Sequence, residues 1–297
     1  MSKGTTLDQD PKDAHEKPPY REKEQQHPGV EEEMRVKPDF GEDSYKGYNR
    51  LADRVAVITG SDSGIGRAVA LAFAREGADV VIGYLNEHED AEETKRVVTA
   101  AGRRAITVAG DLADEAQCKR LIDEAVKAFG RIDILVNNAA FQDKAVEKFE
   151  EISPERVEHT FRVNILAMFH LVRHALPHMK EGASIINVAS IQAYQPSFEI
   201  LDYASTKGAI VTFSKGLAQD LIRQGIRVNV VAPGPVWTPL IVQSFKGDKV
   251  KNFGKDTPMQ RAAQPAELAP AFVFLATAES SYINGEVLGV TGGKPLS

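Results

Sequence analysis

From Arg54 onward the chain alternates short apolar runs with longer amphipathic stretches. The apolar runs at 55–59, 80–84, 105–109, 132–136, 184–189, 227–232 and 287–290 read as strands. The stretches at 65–76, 89–101, 115–129, 154–180, 203–224 and 266–277 carry helical periodicity, and Pro154 after Ser153 fits a helix start with a serine cap. Strands that are apolar throughout are buried on both faces, and parallel neighbours need crossover helices. The pattern therefore predicts an α/β protein: a doubly wound, seven-stranded parallel sheet with helices on both faces. A single domain over 51–297 accommodates it.

Residues 1–50 break the rhythm. They are dense in Lys, Glu, Asp, Gln and Pro, including Pro18-Pro19 and the run Glu31-Glu32-Glu33, and cannot bury a core alone. Either this extension is a disordered tail, or Tyr20, Met34, Phe40, Tyr45 and Tyr48 anchor it as an extended arm on the domain or on a neighbouring subunit.

Composition narrows the function classes. A net charge of −6, with basic residues interspersed among acids, gives no general attraction for phosphate backbones, so no nucleic-acid partner is expected. No apolar run approaches the roughly 18 residues of a membrane span, and the N-terminus has no signal-like apolar core; the expectation is a cytoplasmic protein without membrane contact. Cys118 is the only cysteine, which rules out an internal disulfide and a multi-cysteine metal site, and it reads as incidental.

Candidate chemistry begins where the first strand meets the first helix, at Thr59-Gly60-Ser61-Asp62-Ser63-Gly64-Ile65-Gly66. Gly60 and Gly64 allow a tight turn and close approach to a pyrophosphate, and Gly66 lets the helix pack closely on the sheet. Backbone N–H groups at that helix start, around Ser63 and Ile65, would face phosphates. Gly110-Asp111-Leu112 and Asn137-Asn138-Ala139-Ala140 follow later strands at ends where ligands bind. Asp111 either accepts from an adenine amino group or caps a helix. After the second strand comes Gly83-Tyr84-Leu85-Asn86-Glu87-His88, with no carboxylate or Arg at the position that separates NAD from NADP, and the choice stays open.

Tyr203 and Lys207 stand at i and i+4 and share one face of a helix. An ammonium about 4 Å from a phenol contributes roughly 4 kcal/mol at an effective dielectric of 20, or about three pKa units. That would bring Tyr203 toward neutrality for acid/base work. Ser190, at the end of a strand, either orients a substrate oxygen or is a plain loop serine. Asn164, in an apolar helical stretch, either satisfies backbone or holds a water behind Lys207.

The Thr59–Gly66 turn, Asn137-Asn138-Ala139, Asn164, Ser190, Tyr203, Lys207 and Pro233-Gly234 together, in this order and spacing, resemble the short-chain dehydrogenase/reductase family over about residues 50–293. The resemblance implies a Rossmann fold, NAD or NADP as cofactor, and interconversion of a carbonyl (aldehyde, ketone or sugar) and an alcohol. It implies Tyr203 as acid/base, Lys207 as the group that lowers its pKa and bonds the nicotinamide ribose, Ser190 as the carbonyl-orienting hydroxyl and Asn164 as anchor of a relay water. Gly60, Ser63, Gly64, Ile65, Gly66, Asp111, Leu112, Asn138, Ala139, Tyr203, Lys207, Pro233, Gly234, Val236 and Thr238 would contact the dinucleotide, Thr238 at the carboxamide. No metal is implied, and a homotetramer is. Ala140 departs from the usual Gly, and the long arm is similar to that of a bacterial subgroup described as general-stress, aldehyde-reductase-like or sugar-dehydrogenase-like. A non-catalytic cofactor-binding or scaffold protein, and a lyase or epimerase, are the competing readings. Substrate choice would fall to a covering loop at about 236–257, with Trp237, Leu240, Ile241, Phe245 and Phe253 as an apolar lid and Gln192, Gln195 and Lys246 as polar contacts.

Overall fold

A computed structural model describes residues 9–296; the first eight residues of the predicted extension lie outside them. The seven strands are β1 (Val55–Thr59), β2 (Asp79–Tyr84), β3 (Ala105–Ala109), β4 (Ile134–Asn137), β5 (Ser184–Val188), β6 (Arg227–Pro233) and β7 (Val287–Val290). They form one parallel sheet in the order β3-β2-β1-β4-β5-β6-β7. The chain runs outward from β1 to β3, then restarts beside β1 with β4, so the crevice between β1 and β4 is the switch point where such sheets bind ligands.

Alternating strand residues feed two cores. Ala56 and Ile58 face α1 (Gly64–Arg75), α2 (His88–Ala100) and α9 (Pro265–Ala276), whereas Val57 faces α3 (Glu115–Phe129), α5 (Ala167–Ala175) and α6 (Leu201–Leu221). Cys118 is fully buried in the second core and serves as a small apolar side chain there, so it is structural rather than incidental.

The stretch predicted as one helix over 154–180 is divided. It comprises α4 (Pro154–Phe161), a π-helical turn over Arg162–Leu166 and α5, and Ser153 caps α4 through the Arg156 N–H. The covering segment predicted as a loop holds two short helices, α7 (Pro239–Ser244) and α8 (Asp248–Lys251).

The described part of the extension is an arm seated on its own chain. Tyr20 stacks on Trp237 with ring centroids 4.1 Å apart, and the Trp237 indole donates to the Val36 carbonyl at 2.9 Å. Met34 is buried in the same cluster, and Phe40 and Tyr45 pack on the α1–α9 core. Tyr48, by contrast, is 76% exposed and holds nothing down. The apolar anchors suffice because the arm's polar groups are also paired. Glu31, nearly buried, accepts from the Gly64 N–H at 3.0 Å and forms an ion pair with Arg67, whose guanidinium also bonds Asp90.

Candidate active site

The switch-point crevice opens into a cavity of about 330 Å³. Its floor is the turn after β1. Gly60 and Gly64 have φ of +59° and +51°, which side chains other than glycine rarely adopt. A Cβ on Gly66 would sit 2.0 Å from the Gly60 carbonyl oxygen, so only glycine lets α1 begin against the turn. Gly66 itself does not line the cavity and acts through this packing, whereas Gly60, Ser63, Gly64 and Ile65 all face it. Ser63 precedes α1 with extended backbone, and its hydroxyl donates to Asp62 rather than capping the helix.

The β4 end closes on the same turn. Thr59 Oγ1 accepts from the N–H groups of Asn138 and Ala139, both at 3.0 Å, and the Asn138 amide donates to the carbonyls of Thr59 and Gly60. Asp111 and Leu112 line the far end; the Asp111 carboxylate accepts from the Ala113 N–H at 2.9 Å, so it stabilises its own turn while facing the cavity. Asp62 and Glu87 flank that end, and the neighbouring Glu87 charge adds to burial in pushing the Asp62 carboxyl up to about 7. Pro233, Gly234, Val236 and Thr238 form the opposite wall between β6 and α7.

Ser190, just beyond β5, and Tyr203, in the first turn of α6, both line this cavity, and the Ser190 hydroxyl accepts from the Gln192 N–H at 3.1 Å. The start of α6 is pinned by Asp202, which takes two bonds from Arg156, each 2.9 Å, and a third from Thr160. Sequence reasoning passed over this pair, although an Asp beside the Tyr in a helix's first turn is a visible signal. Lys207 lies one turn on, but its Nζ is 5.1 Å from the centre of the Tyr203 ring and donates to the Val188 carbonyl at 2.8 Å.

The predicted electrostatics are therefore corrected. Burial pushes Tyr203 up to about 12, with the Ser190 side chain opposing, and burial pushes Lys207 down to about 7. Removing both groups from water favours their uncharged forms, and that outweighs an attraction between two partly neutral groups.

Asn164 belongs to the helical stretch between β4 and β5. It is fully buried in the π-helical turn and does not line the cavity. Its Oδ1 accepts from the Phe141 N–H at 2.7 Å, and its amide donates to the Phe141 carbonyl and to Thr206 Oγ1, each at 3.0 Å. These bonds satisfy the Phe141 backbone and position its segment.

In the covering segment, Leu240, Ile241, Phe245 and Phe253 face the cavity, but Trp237 turns away to the arm. Gln192 lines the cavity, Gln195 bonds the Pro295 carbonyl and Lys246 lies outside. Residues the sequence did not single out also line it: His27, Pro28 and Gly29 from the arm, and Gln142, His159 and Gln243. Nothing local marks them, since their role depends on segments distant in sequence meeting. Among the described residues no cluster of His, Cys, Asp or Glu could hold a metal, and no helix is long and apolar enough to cross a membrane.

The family model described as Enoyl-(Acyl carrier protein) reductase matches residues 60–294. The chain is 52% identical over 281 residues to NADPH-dependent aldehyde reductase 1, chloroplastic, of Arabidopsis thaliana, covering 92% of this chain and 97% of that protein. It is 50% identical over 282 residues to the glucose and ribitol dehydrogenase of Daucus carota, covering 93% and 96%. A short chain dehydrogenase from Burkholderia cenocepacia, solved in complex with NADP, superposes with a TM-score of 0.77 at 33% identity, covering 82% of this chain and 98% of that one.

Proposed function

Because the chain belongs to the short-chain dehydrogenase/reductase family and is an oxidoreductase acting on CH–OH groups, we propose that Tyr203 is the proton-transferring residue of an NAD(P)-dependent interconversion of a small carbonyl compound and its alcohol. The carrying observation is that Ser190, Tyr203 and Lys207 all line the cavity that the glycine turn floors. The residues fit a dinucleotide: Gly60 and Gly64, at φ of +59° and +51°, floor the cavity with glycine-only backbone, and helix α1 begins beside it with its Gly64 N–H held by the Glu31 carboxylate. Gly60, Ser63, Gly64, Ile65, Asn138, Ala139 and Thr238 are the residues assigned to hold it, with Asp111 and Leu112 at the adenine end.

When bound, the dinucleotide supplies the hydride. Ser190 donates to and orients the substrate oxygen. Tyr203 gives its phenolic proton to that oxygen as the carbonyl becomes an alcohol, and recovers it in reverse. Reduction needs a protonated phenol, the state that burial favours here. Lys207 orders the strand end through Val188 and brings a titratable amine beside the ring.

We assign the working form as a homotetramer assembling partly through the α4–α5 face, where Val157, Leu166 and Phe169 are exposed. Light scattering that gives a monomer refutes that assignment. The catalytic reading is tested by following NADH and NADPH oxidation against small aldehydes, ketones and sugars with wild type and Tyr203→Phe. Turnover should fall by about 10²–10⁴ in the variant while cofactor binding, read by fluorescence, persists. A variant that keeps its rate overturns the assignment.

A further inference from the structure

The arm does more than pack: it reaches the reacting centre's cavity. The loop between Gln25 and Val30 is closed at its base by the Gln25 side chain, which accepts from the Val30 N–H at 2.7 Å and donates to the Val30 carbonyl at 3.0 Å. Its tip enters the cavity wall. The Gly29 N–H donates to Gln243 Oε1 at 2.5 Å, and a Cβ on Gly29 would meet the Pro239 carbonyl oxygen at 2.7 Å, so the backbone lies directly against α7. His27 presents its ring edge-on to Phe141 at 4.9 Å, and Phe141 stands edge-on to His159 at 4.5 Å. Asn164 fixes the Phe141 backbone from behind.

Beside this imidazole–phenyl–imidazole wall lies Gln142. It is 4% exposed, its backbone carbonyl is taken by Ser244 Oγ at 3.1 Å, and its side-chain Nε2 has no partner among the described residues. Buried amide donors are almost always satisfied, and one in the wall of a ligand cavity is satisfied by what enters. An apolar substrate would leave this donor desolvated and unpaired, which is how a site built for a hydroxyl rejects the analogue lacking it.

We propose that the arm completes the substrate site, with His27 and the Gln142 amide hydrogen-bonding a hydroxyl of the substrate, so that the enzyme selects hydroxylated aldehydes over their deoxy counterparts. This rests on the carbonyl-reducing reading above. The polar wall reads the substrate's distal hydroxyls, while Leu240, Ile241 and Phe245 cover its carbon chain.

Glyceraldehyde and propanal differ only in two hydroxyls and test the selection with the full-length enzyme. Wild type should favour glyceraldehyde in kcat/KM by at least tenfold, and His27→Phe and Gln142→Leu should each cut that ratio by roughly five- to tenfold. A ratio at or below one in wild type, or a ratio unchanged in both variants, overturns the proposal. The product alcohols, glycerol and propan-1-ol, supply a readout that needs no turnover: their binding to the NADH-saturated enzyme is followed by fluorescence of Trp237, the sole tryptophan, which stacks on Tyr20 of the arm. Glycerol should bind more tightly than propan-1-ol, and both variants should erase the difference. If neither aldehyde turns over but this preference holds, the reductase reading fails and the wall stands; if both turn over without preference, the wall fails alone.

Discussion

Replacing Lys207 by Met should stabilise the cofactor-free protein at neutral pH and flatten the pH dependence of its stability. Lys207 is 2% exposed, and burial brings its pKa from 10.5 to about 7. Between those values the unfolded chain holds a proton that the folded chain has released, so the unfolded state binds more protons and the unfolding free energy rises with pH. The slope approaches 1.4 kcal/mol per pH unit well inside the window, so between pH 7 and 9 wild type should gain about 2 kcal/mol that the variant does not. Tyr203 acts in the opposite sense at higher pH. Its folded pKa of about 12 lies above the unfolded 10, so stability falls from pH 10 to 12 and the comparison belongs below pH 10. Methionine keeps the length and apolar stem of lysine and gives up the bond to the Val188 carbonyl, a constant offset with no pH dependence. Urea unfolding of both proteins at pH 7, 8 and 9, at one protein concentration, measures the difference. Parallel stabilities across that range would refute the argument that burial, rather than pairing, governs this amine.

Three further outcomes follow from the same geometry. Gly66→Ala should weaken cofactor binding at least tenfold, because its Cβ would lie 2.0 Å from the Gly60 oxygen and must push α1 off the turn; calorimetric titration with NADH reads it. Glu31→Ala leaves buried Arg67 with Asp90 as its remaining ionic partner and should cost about 3 kcal/mol, lowering the melting temperature by about 5–10 °C, while a charge-conserving Glu31→Asp should recover part of the loss. NADH should bind at least tenfold more tightly than NADPH, since Asp62 and Glu87 flank the adenine end and Lys207 is the sole Lys or Arg among the described residues lining the cavity. Equal affinities in a fluorescence titration would sink that expectation, and Glu87→Lys should narrow the gap.

The sheet was legible because apolar runs alternate with amphipathic stretches, and 55–59, 105–109 and 287–290 coincide with β1, β3 and β7, even though β3 and β7 are edge strands only partly buried. The Tyr203–Lys207 spacing and the glycine turn were legible for a similar reason: local geometry alone brings them together. The π turn inside the helix predicted over 154–180 left no mark, since Arg162–Leu166 contains neither Pro nor Gly and the turn accompanies Asn164 bonding the distant Phe141 backbone. The arm was half legible. Tyr20 and Met34 announced anchors, but that they would meet Trp237 and Val242, or that His27 would reach the catalytic cavity, depends on long-range closure that no periodicity encodes. The sign of the Tyr203 shift went astray because spacing reports proximity and says nothing about desolvation.

The seat of the arm also imposes an order on synthesis. Tyr20 rests on Trp237, the Asp39 N–H donates to Gln264, and Arg261 donates to the Pro11 carbonyl, so a segment made early docks on one made more than 200 residues later. Until residues 237–264 emerge, the arm has no surface to bind and Glu31 has no fixed approach to the Gly64 amide. The arm that walls the active site is thus made well before the surface that seats it, and a nascent chain cannot complete its pocket before residues 237–264 have been translated.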